Sequence, residues 1–240
     1  MGPITSWNPR HWVLRASTNN LALVAVLGHD IGMEYNDTTP QQIARALAQY
    51  RGKQGTSDFD LNKGLRPVAP KLRDAAVLMP IIERTNGLHV ILTRRSSHLK
   101  HHPGQIAFPG GKVDKEDHNI QAAALREADE EIGLKNEMVQ ILGTLPQHET
   151  VSAFQVTPFV GVVSSSYQPR PEVGEVDEIF EVPLNLFLDP QHFRIHPRVW
   201  QGIERRYFAV PYGPYYTWGA TARILRMFCD VVGGHDEAVG

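Results

Sequence analysis

The sequence predicts an α/β fold, a mixed sheet with helices on both faces. Three observations carry this. Apolar, β-rich runs and helical patterns interleave along residues 75–232. Two of the runs, 75–83 and 88–95, flank Thr85-Asn86-Gly87, a strong short hairpin signal. Residues 119–132 and 219–232 carry apolar side chains at helical rather than alternating spacing.

The elements follow in order. Residues 1–36 have no sustained period and read as a poorly ordered leader of unknown role. Thr39-Pro40-Gln41-Gln42 opens a helix: a cap residue, Pro at the first helical position, Gln at the third. That helix runs to about Tyr50, and residues 51–70 are rich in Gly, Lys, Asp and Pro, so 37–69 read as a helix-and-linker extension. A compact domain is expected over 70–232, then a flexible tail over 233–240. Within the domain, 106–108 is a short strand leading into a Gly loop. Residues 139–145, 156–163 and 176–182 are strands, the last followed by a helical turn at 184–188. Two short runs, 199–200 and 206–210, flank Gln201-Gly202 and suggest a second hairpin. Ile224, Leu225, Phe228 and Val231 mark one face of a closing amphipathic helix. There are no internal repeats.

Composition narrows the partners. Hydrophobic content of 42% and charged content of 21% are ordinary for a globular protein. A formal net charge of -2 gives no electrostatic case for a nucleic acid or a membrane. The longest early apolar run, 21–27, is far short of the ~20 residues of a membrane helix. A single cysteine, Cys229, excludes an internal disulfide framework and a cysteine-based zinc site, suits a reducing compartment, and is expected in the core. A cytoplasmic location follows as an expectation, with a homodimer as the assembly considered.

The most informative stretch is Arg126-Glu127-Ala128-Asp129-Glu130-Glu131-Ile132-Gly133-Leu134. On a helix, Glu127, Glu130 and Glu131 share one face, while Asp129 falls roughly 200° from Glu127. Leu125, Ala128 and Ile132 take the opposite side. Like charges on one stripe repel, so a positive partner is expected, and hard divalent cations take carboxylate oxygens together with substrate phosphates. Arg126 stands four residues before Glu130 and can orient it. Gly133-Leu134 reads as a Schellman stop. Upstream, Phe108-Pro109-Gly110-Gly111 is a loop that lets backbone approach a ligand closely. A solvated acidic face is the competing reading of the stripe.

These residues resemble the Nudix signature, G-x5-E-x7-R-E-U-x-E-E-x-G-U with U apolar. Arg126, Glu127, Ala128, Glu130, Glu131, Gly133 and Leu134 match its second half. The connector from Gly111 is one residue longer than the pattern, and the acid six positions after Gly111 is Asp117 rather than Glu. The stretch 92–111 (LTRRSSHLKHHPGQIAFPGG) resembles the extra motif of the coenzyme A pyrophosphatase branch, which also tends to carry the longer connector. The resemblance covers about residues 70–232. It implies a Nudix-type α/β/α sandwich with a mixed sheet and a pyrophosphatase acting on a small nucleotide substrate with Mg2+ or Mn2+.

What the resemblance implies can be set on individual residues. Glu127 and Glu131, at i and i+4, are the principal metal ligands. Glu130 is a third, direct or through water, and the Gly111 carbonyl completes the shell. Arg126 positions rather than clamps phosphate. Glu175, in the acidic segment 172–178, is the first choice for general base, with His148 and Glu149 as alternatives. Glu130, Glu175 and Arg126 make up the catalytic set. Arg94, Arg95, Ser97, His98 and Lys100 form a basic segment that leads into the Gly loop and is expected to meet substrate phosphates. On a strand, Arg94 and Arg95 point to opposite faces, so one of them is expected to serve the pocket. The expected reaction is hydrolysis of the diphosphate of coenzyme A or its acyl derivatives, giving 3′,5′-ADP and (acyl-)4′-phosphopantetheine. The alternatives are another nucleoside diphosphate derivative (ADP-ribose, a dinucleotide) and a non-catalytic nucleotide-binding Nudix domain.

Overall fold

A computed structural model describes residues 38–52, 55–66, 71–200 and 202–234. The expected leader, 1–36, and positions 235–240 of the expected tail lie outside them. The elements are α1 (Pro40–Gln49), β1 (Gly55–Ser57), β2 (Arg73–Arg84), β3 (Gly87–Arg95), β4 (Ile106–Ala107), β5 (Gly110–Lys112), α2 (Ile120–Ile132), β6 (Val139–Thr144) and β7 (Gln147–Glu149). Then follow β8 (Phe154–Val163), β9 (Val176–Pro183), β10 (Arg194–Trp200), β11 (Ile203–Tyr212), β12 (Tyr215–Trp218) and α3 (Ala220–Gly233).

A mixed sheet forms the centre. Its main path is β1-β7-β8-β2-β3-β4, with β5 on β2, β6 on β8 and β9 on β3. The β2–β8 and β1–β7 pairs are parallel, the others antiparallel. The β2–β3 hairpin closes around Asn86 as its sequence requires. It pairs only from Ile81–Arg84 to Gly87–Val90 and then splays. β4 enters the gap against β3 and β5 enters it against β2, so segment 106–112 is wedged into the sheet.

Helix α2 covers one face. Ala123, Ala124 and Ala128 let it approach closely, and Leu125 and Ile132 reach Ala76, Leu78, Ile82 and Ile91 of the sheet, with Phe159 and Val163 closing the cluster. Each fully buried Leu, Ile or Phe contributes about 1.5–3 kcal/mol. Helix α3 lies on the other face. His148, opposite Val156 on the side away from α2, bonds Thr56, whose hydroxyl contacts the Met227 sulfur of α3. Helix α1 packs against α3 and β6. Helices on both faces of a mixed sheet are the expected sandwich. A separate sheet, β10-β11-β12, holds the second hairpin at the expected place. Cys229 is fully buried in α3, where burial pushes its thiol up to about 12.

The linker reading of 51–70 is corrected. Residues 55–57 are β1, paired in parallel with β7 in the central sheet. The run is too short and too rich in Gly and Ser to show a strand period, and its pairing is long-range. The described residues cluster as one compact unit, so α1 and β1 belong to the same body as the domain they precede.

Candidate active site

The Gly loop is held by backbone. Leu78 N donates to Pro109 O at 2.9 Å, and Gly110 and Gly111 pair with Val77 and Ala76. A Cβ on Gly110 would sit 2.4 Å from Ala76 O, so only glycine fits there. A Cβ on Gly111 would sit 2.4 Å from Glu127 Oε1. The missing side chain is what lets the Glu127 carboxylate rest against the loop.

Helix α2 presents the acids. Asn119 caps its start, its side-chain oxygen accepting from Ala122 N at 2.8 Å. Gly133 ends it at φ 68, with Leu134 N donating to Ala128 O at 3.1 Å, the Schellman closure expected from the sequence. The register is the expected one. Glu131 is 4% exposed, Glu127 is half-buried and Glu130 projects to solvent. Asp129 leaves the stripe and pairs with Lys135 at 2.8 Å.

Arg126 ties the stripe together. Its guanidinium donates to Glu130 Oε2 at 2.8 Å, Glu127 Oε1 at 3.1 Å and the Lys112 carbonyl at 3.2 Å. Two further bonds, at 2.9 and 3.0 Å, go to the buried carboxylate of Asp117. The Arg126 bond holds the Asp117 carboxyl below its usual range, and Asp117 in turn raises the Arg126 pKa. Asp117 therefore anchors Arg126 from the connector. Sequence alone assigned it no role in the site. Its position six after Gly111 was the available signal.

The electrostatics fit a cation. Burial raises the Glu131 carboxyl to about 7, the Gly110 N–H opposing and the Glu127 charge adding. That N–H donates to Glu131 Oε2 at 3.2 Å. Burial also raises Glu127, against the pull of Arg126. Two carboxylates whose charged forms are penalised, touching a backbone loop, make a hard-oxygen donor set short of positive charge. Among the described residues no three acids or histidines are drawn into ligating geometry; Arg126 instead bridges Glu127 and Glu130. A hollow of about 410 Å³, lined in part by His118, Gln121, Leu125 and Asn136, runs along the flank of α2 and is bordered by neither Glu127 nor Glu131.

The acidic loop docks on the end of α2. The Tyr167 hydroxyl and Arg170 N donate to Ile132 O at 2.8 and 3.0 Å, and Glu172 N donates to Glu131 O at 2.9 Å. These bonds satisfy the helix's last carbonyls. They also bring Glu175 close enough that its charge raises both Glu127 and Glu131. The basic segment meets the same loop, Ser96 N donating to Glu175 O at 2.8 Å and Ser97 N to Asp177 Oδ2 at 3.0 Å. Arg95 turns towards the acids, 3.8 Å from Glu131 Oε1. Arg94 turns to the opposite face and pairs with Glu178 at 3.2 Å. The side chains of Ser97, His98 and Lys100 are exposed.

The alternatives for the base are placed differently. His148 is fully buried, its nitrogens engaged by Thr56 Oγ1 at 2.9 Å and Asp58 Oδ1 at 3.2 Å. Glu149 is buried and paired with Arg66 at 2.5 Å. Both stand in the β1–β7 pairing rather than beside the acid stripe.

A wedged Gly loop, an acid-striped helix locked by one arginine and an acidic loop over the helix end, on an α/β/α sandwich, define a single hydrolase class. A Nudix-domain family model matches residues 72–201, and the chain belongs to the Nudix family. It is a Nudix hydrolase, similar to the uncharacterized Nudix hydrolase NudL of Enterobacter sp. (strain 638), with 45% identity over 157 residues, 64% of this chain and 80% of that one. NudL of Salmonella paratyphi B (strain ATCC BAA-1250 / SPB7) is 44% identical over the same shares. Among solved structures, the Nudix hydrolase RenU from M. smegmatis aligns at 23% identity and TM-score 0.41, over 48% of this chain and 72% of that one.

Proposed function

We propose that this hydrolase cleaves the diphosphate bond of coenzyme A or its acyl derivatives, giving 3′,5′-ADP and (acyl-)4′-phosphopantetheine. The observation that carries the reading is the convergence of Glu127, Glu131, Arg95 and the Glu175 loop on the Gly110–Gly111 backbone. Glu127 and Glu131 would hold Mg2+ or Mn2+, with Glu130 and the Gly111 carbonyl completing the shell. Bound there, such a cation would supply neutralisation of phosphate charge and a lowered pKa for a bound water.

The chain's own residues do the rest. Arg126 fixes Glu127 and Glu130 in place. Arg95 meets a phosphate oxygen from the sheet side. Glu175 takes the proton of the attacking water as its oxygen bonds to phosphorus and the bridging P–O bond breaks. Ser97, His98 and Lys100, exposed beside the loop, are free to meet further phosphate. Arg94, drawn to Glu178 on the far face, is the weakest member of the substrate set. The 3′-phosphate of coenzyme A supports a role for this segment, because a charge-assisted contact to it contributes about 1.5–3 kcal/mol.

The test is a product assay across coenzyme A, dephospho-coenzyme A, ADP-ribose and NADH with Mg2+ and Mn2+. Coenzyme A should exceed its dephospho form by roughly ten- to a hundredfold in kcat/KM. Preference for ADP-ribose over both would replace the coenzyme A reading with the second one, another nucleoside diphosphate derivative.

A further inference from the structure

The small sheet carries a surface that the diphosphate site does not use. Strand alternation puts His196, Tyr207, Tyr216 and Trp218 on one face of β10–β12. The rings touch in series. Tyr207 lies 5.3 Å from Trp218 and 6.4 Å from His196, and His196 stacks on Tyr216 at 6.0 Å with its Nδ1 2.6 Å from the phenol oxygen. Ala209, at the centre of this face, is fully buried. The opposite face packs on the body of the protein at β12, with Tyr215 stacked 3.7 Å from Phe180 and bonded to Glu178, while Ile195 and Val199 on its β10 edge are exposed. The ring-bearing face therefore turns away from the acid helix.

Its charge differs from that of the chain. Residues 194–218 hold four arginines against one acid, Glu204, whereas the whole chain is at -2. Arg194 and Arg198 are exposed on the ring-bearing face, and the Arg198 guanidinium lies 5.8 Å over Trp218. Cross-strand aromatic pairing accounts for Tyr207 and Trp218. It does not account for two exposed arginines beside them, nor for Tyr216, which is 39% exposed.

We propose that this face is a second binding site, for a nucleoside monophosphate. The flat rings supply stacking for the base, and Arg194 and Arg198 supply charge-assisted bonds to the phosphate. A single nucleotide fits better than a nucleic acid, because the net negative charge outside the patch offers a long polyanion nothing further.

The experiment is calorimetric titration of the full chain with AMP in EDTA, so that binding is read without turnover and independently of the coenzyme A reading. Saturable one-site binding is expected. It should weaken about tenfold or more in Tyr216→Leu, which keeps bulk but removes the ring, and in Arg198→Gln. It should persist unchanged in Glu131→Gln, and thermal melts of each variant verify folding. Ribose 5-phosphate should bind at least about tenfold more weakly than AMP. Absent AMP binding, equal binding of ribose 5-phosphate, or loss in Glu131→Gln would overturn the proposal. Tighter, steeply salt-dependent binding of oligoadenylate would overturn it in favour of a nucleic-acid surface. A dimer dissociated by Tyr216→Leu, with no nucleotide bound, would overturn it in favour of contact between copies of this chain.

Discussion

Glu131 sits 4% exposed between the Gly110 N–H and Arg95, and its burial has a sign that can be measured. Its pKa is about 7 folded against 4.5 for a free glutamate. Below pH 4.5 both states are protonated and nothing is lost. Between 4.5 and 7 the folded state keeps a proton that the unfolded state releases, so stability falls as pH rises, and the cost is complete above 7. At about 1.4 kcal/mol per unit the upper bound is roughly 3–4 kcal/mol. Denaturant melts of the metal-free protein at pH 5, 6, 7 and 8 should show this decline, and Glu131→Gln should flatten it. An unchanged slope in the variant would mean that Glu131 titrates normally. For catalysis, Glu127→Gln and Glu131→Gln should each lower turnover by about 10²–10³ or more with the fold intact, while Asp129→Asn, directed to Lys135, should change it less than about tenfold. Steady-state rates with saturating Mg2+ decide both. Gly111→Ala belongs with the first pair, because its methyl group would displace the Glu127 carboxylate rather than remove it.

At the scale of elements, what could be read from sequence was local. Helix α2 was legible because its signals lie within one turn, the Gly133-Leu134 stop and a stripe fixed by helical geometry, whereas the Asn119 cap was not read from the sequence. The β2–β3 hairpin and α1 were legible for the same reason, a turn and a capping box. The splay of that hairpin was not, since it depends on β4 and β5 entering from later in the chain. Nor was β1, three residues whose partner strand lies about ninety positions away. The docking of the acidic loop on α2 was half legible. Its charges stood out, but the bonds to Ile132 and Glu131 come from backbone and from Tyr167. β1 carries its own prediction. Thr56→Val removes the partner of a fully buried His148 nitrogen, which should lower stability by about 1–3 kcal/mol. Turnover at saturating substrate should stay normal, because the pair stands apart from the acids. A fall in turnover as large as that of Glu127→Gln would instead draw His148 into the reaction.

The whole molecule raises the question of where the working body begins. The family match starts at residue 72, yet the compact unit reaches back to include α1. α1 buries Ile43 and Leu47 against β6 and α3, and β1 completes the sheet beside β7. Ile43 is fully buried, and its removal exposes the surface that covers it. A chain beginning at Met33 should therefore fold and turn over substrate like the full chain, since residues 1–32 carry no sequence period and no site residue. A chain beginning at Lys71 keeps every acid, both glycines and Arg95, but loses three buried apolar side chains, Ile43, Leu47 and Phe59, at about 1.5–3 kcal/mol each. It also strands His148 without Thr56 or Asp58. Against a total of 5–15 kcal/mol for a typical domain, that loss is a large fraction. Thermal melts and soluble yield of the two chains separate the cases: the first should match the full chain, and the second should melt far lower or fail to accumulate. Equal melting of both would show that α1 and β1 are appended to a body that is already complete. Failure of the Met33 chain would move the start of that body into the first thirty-two residues.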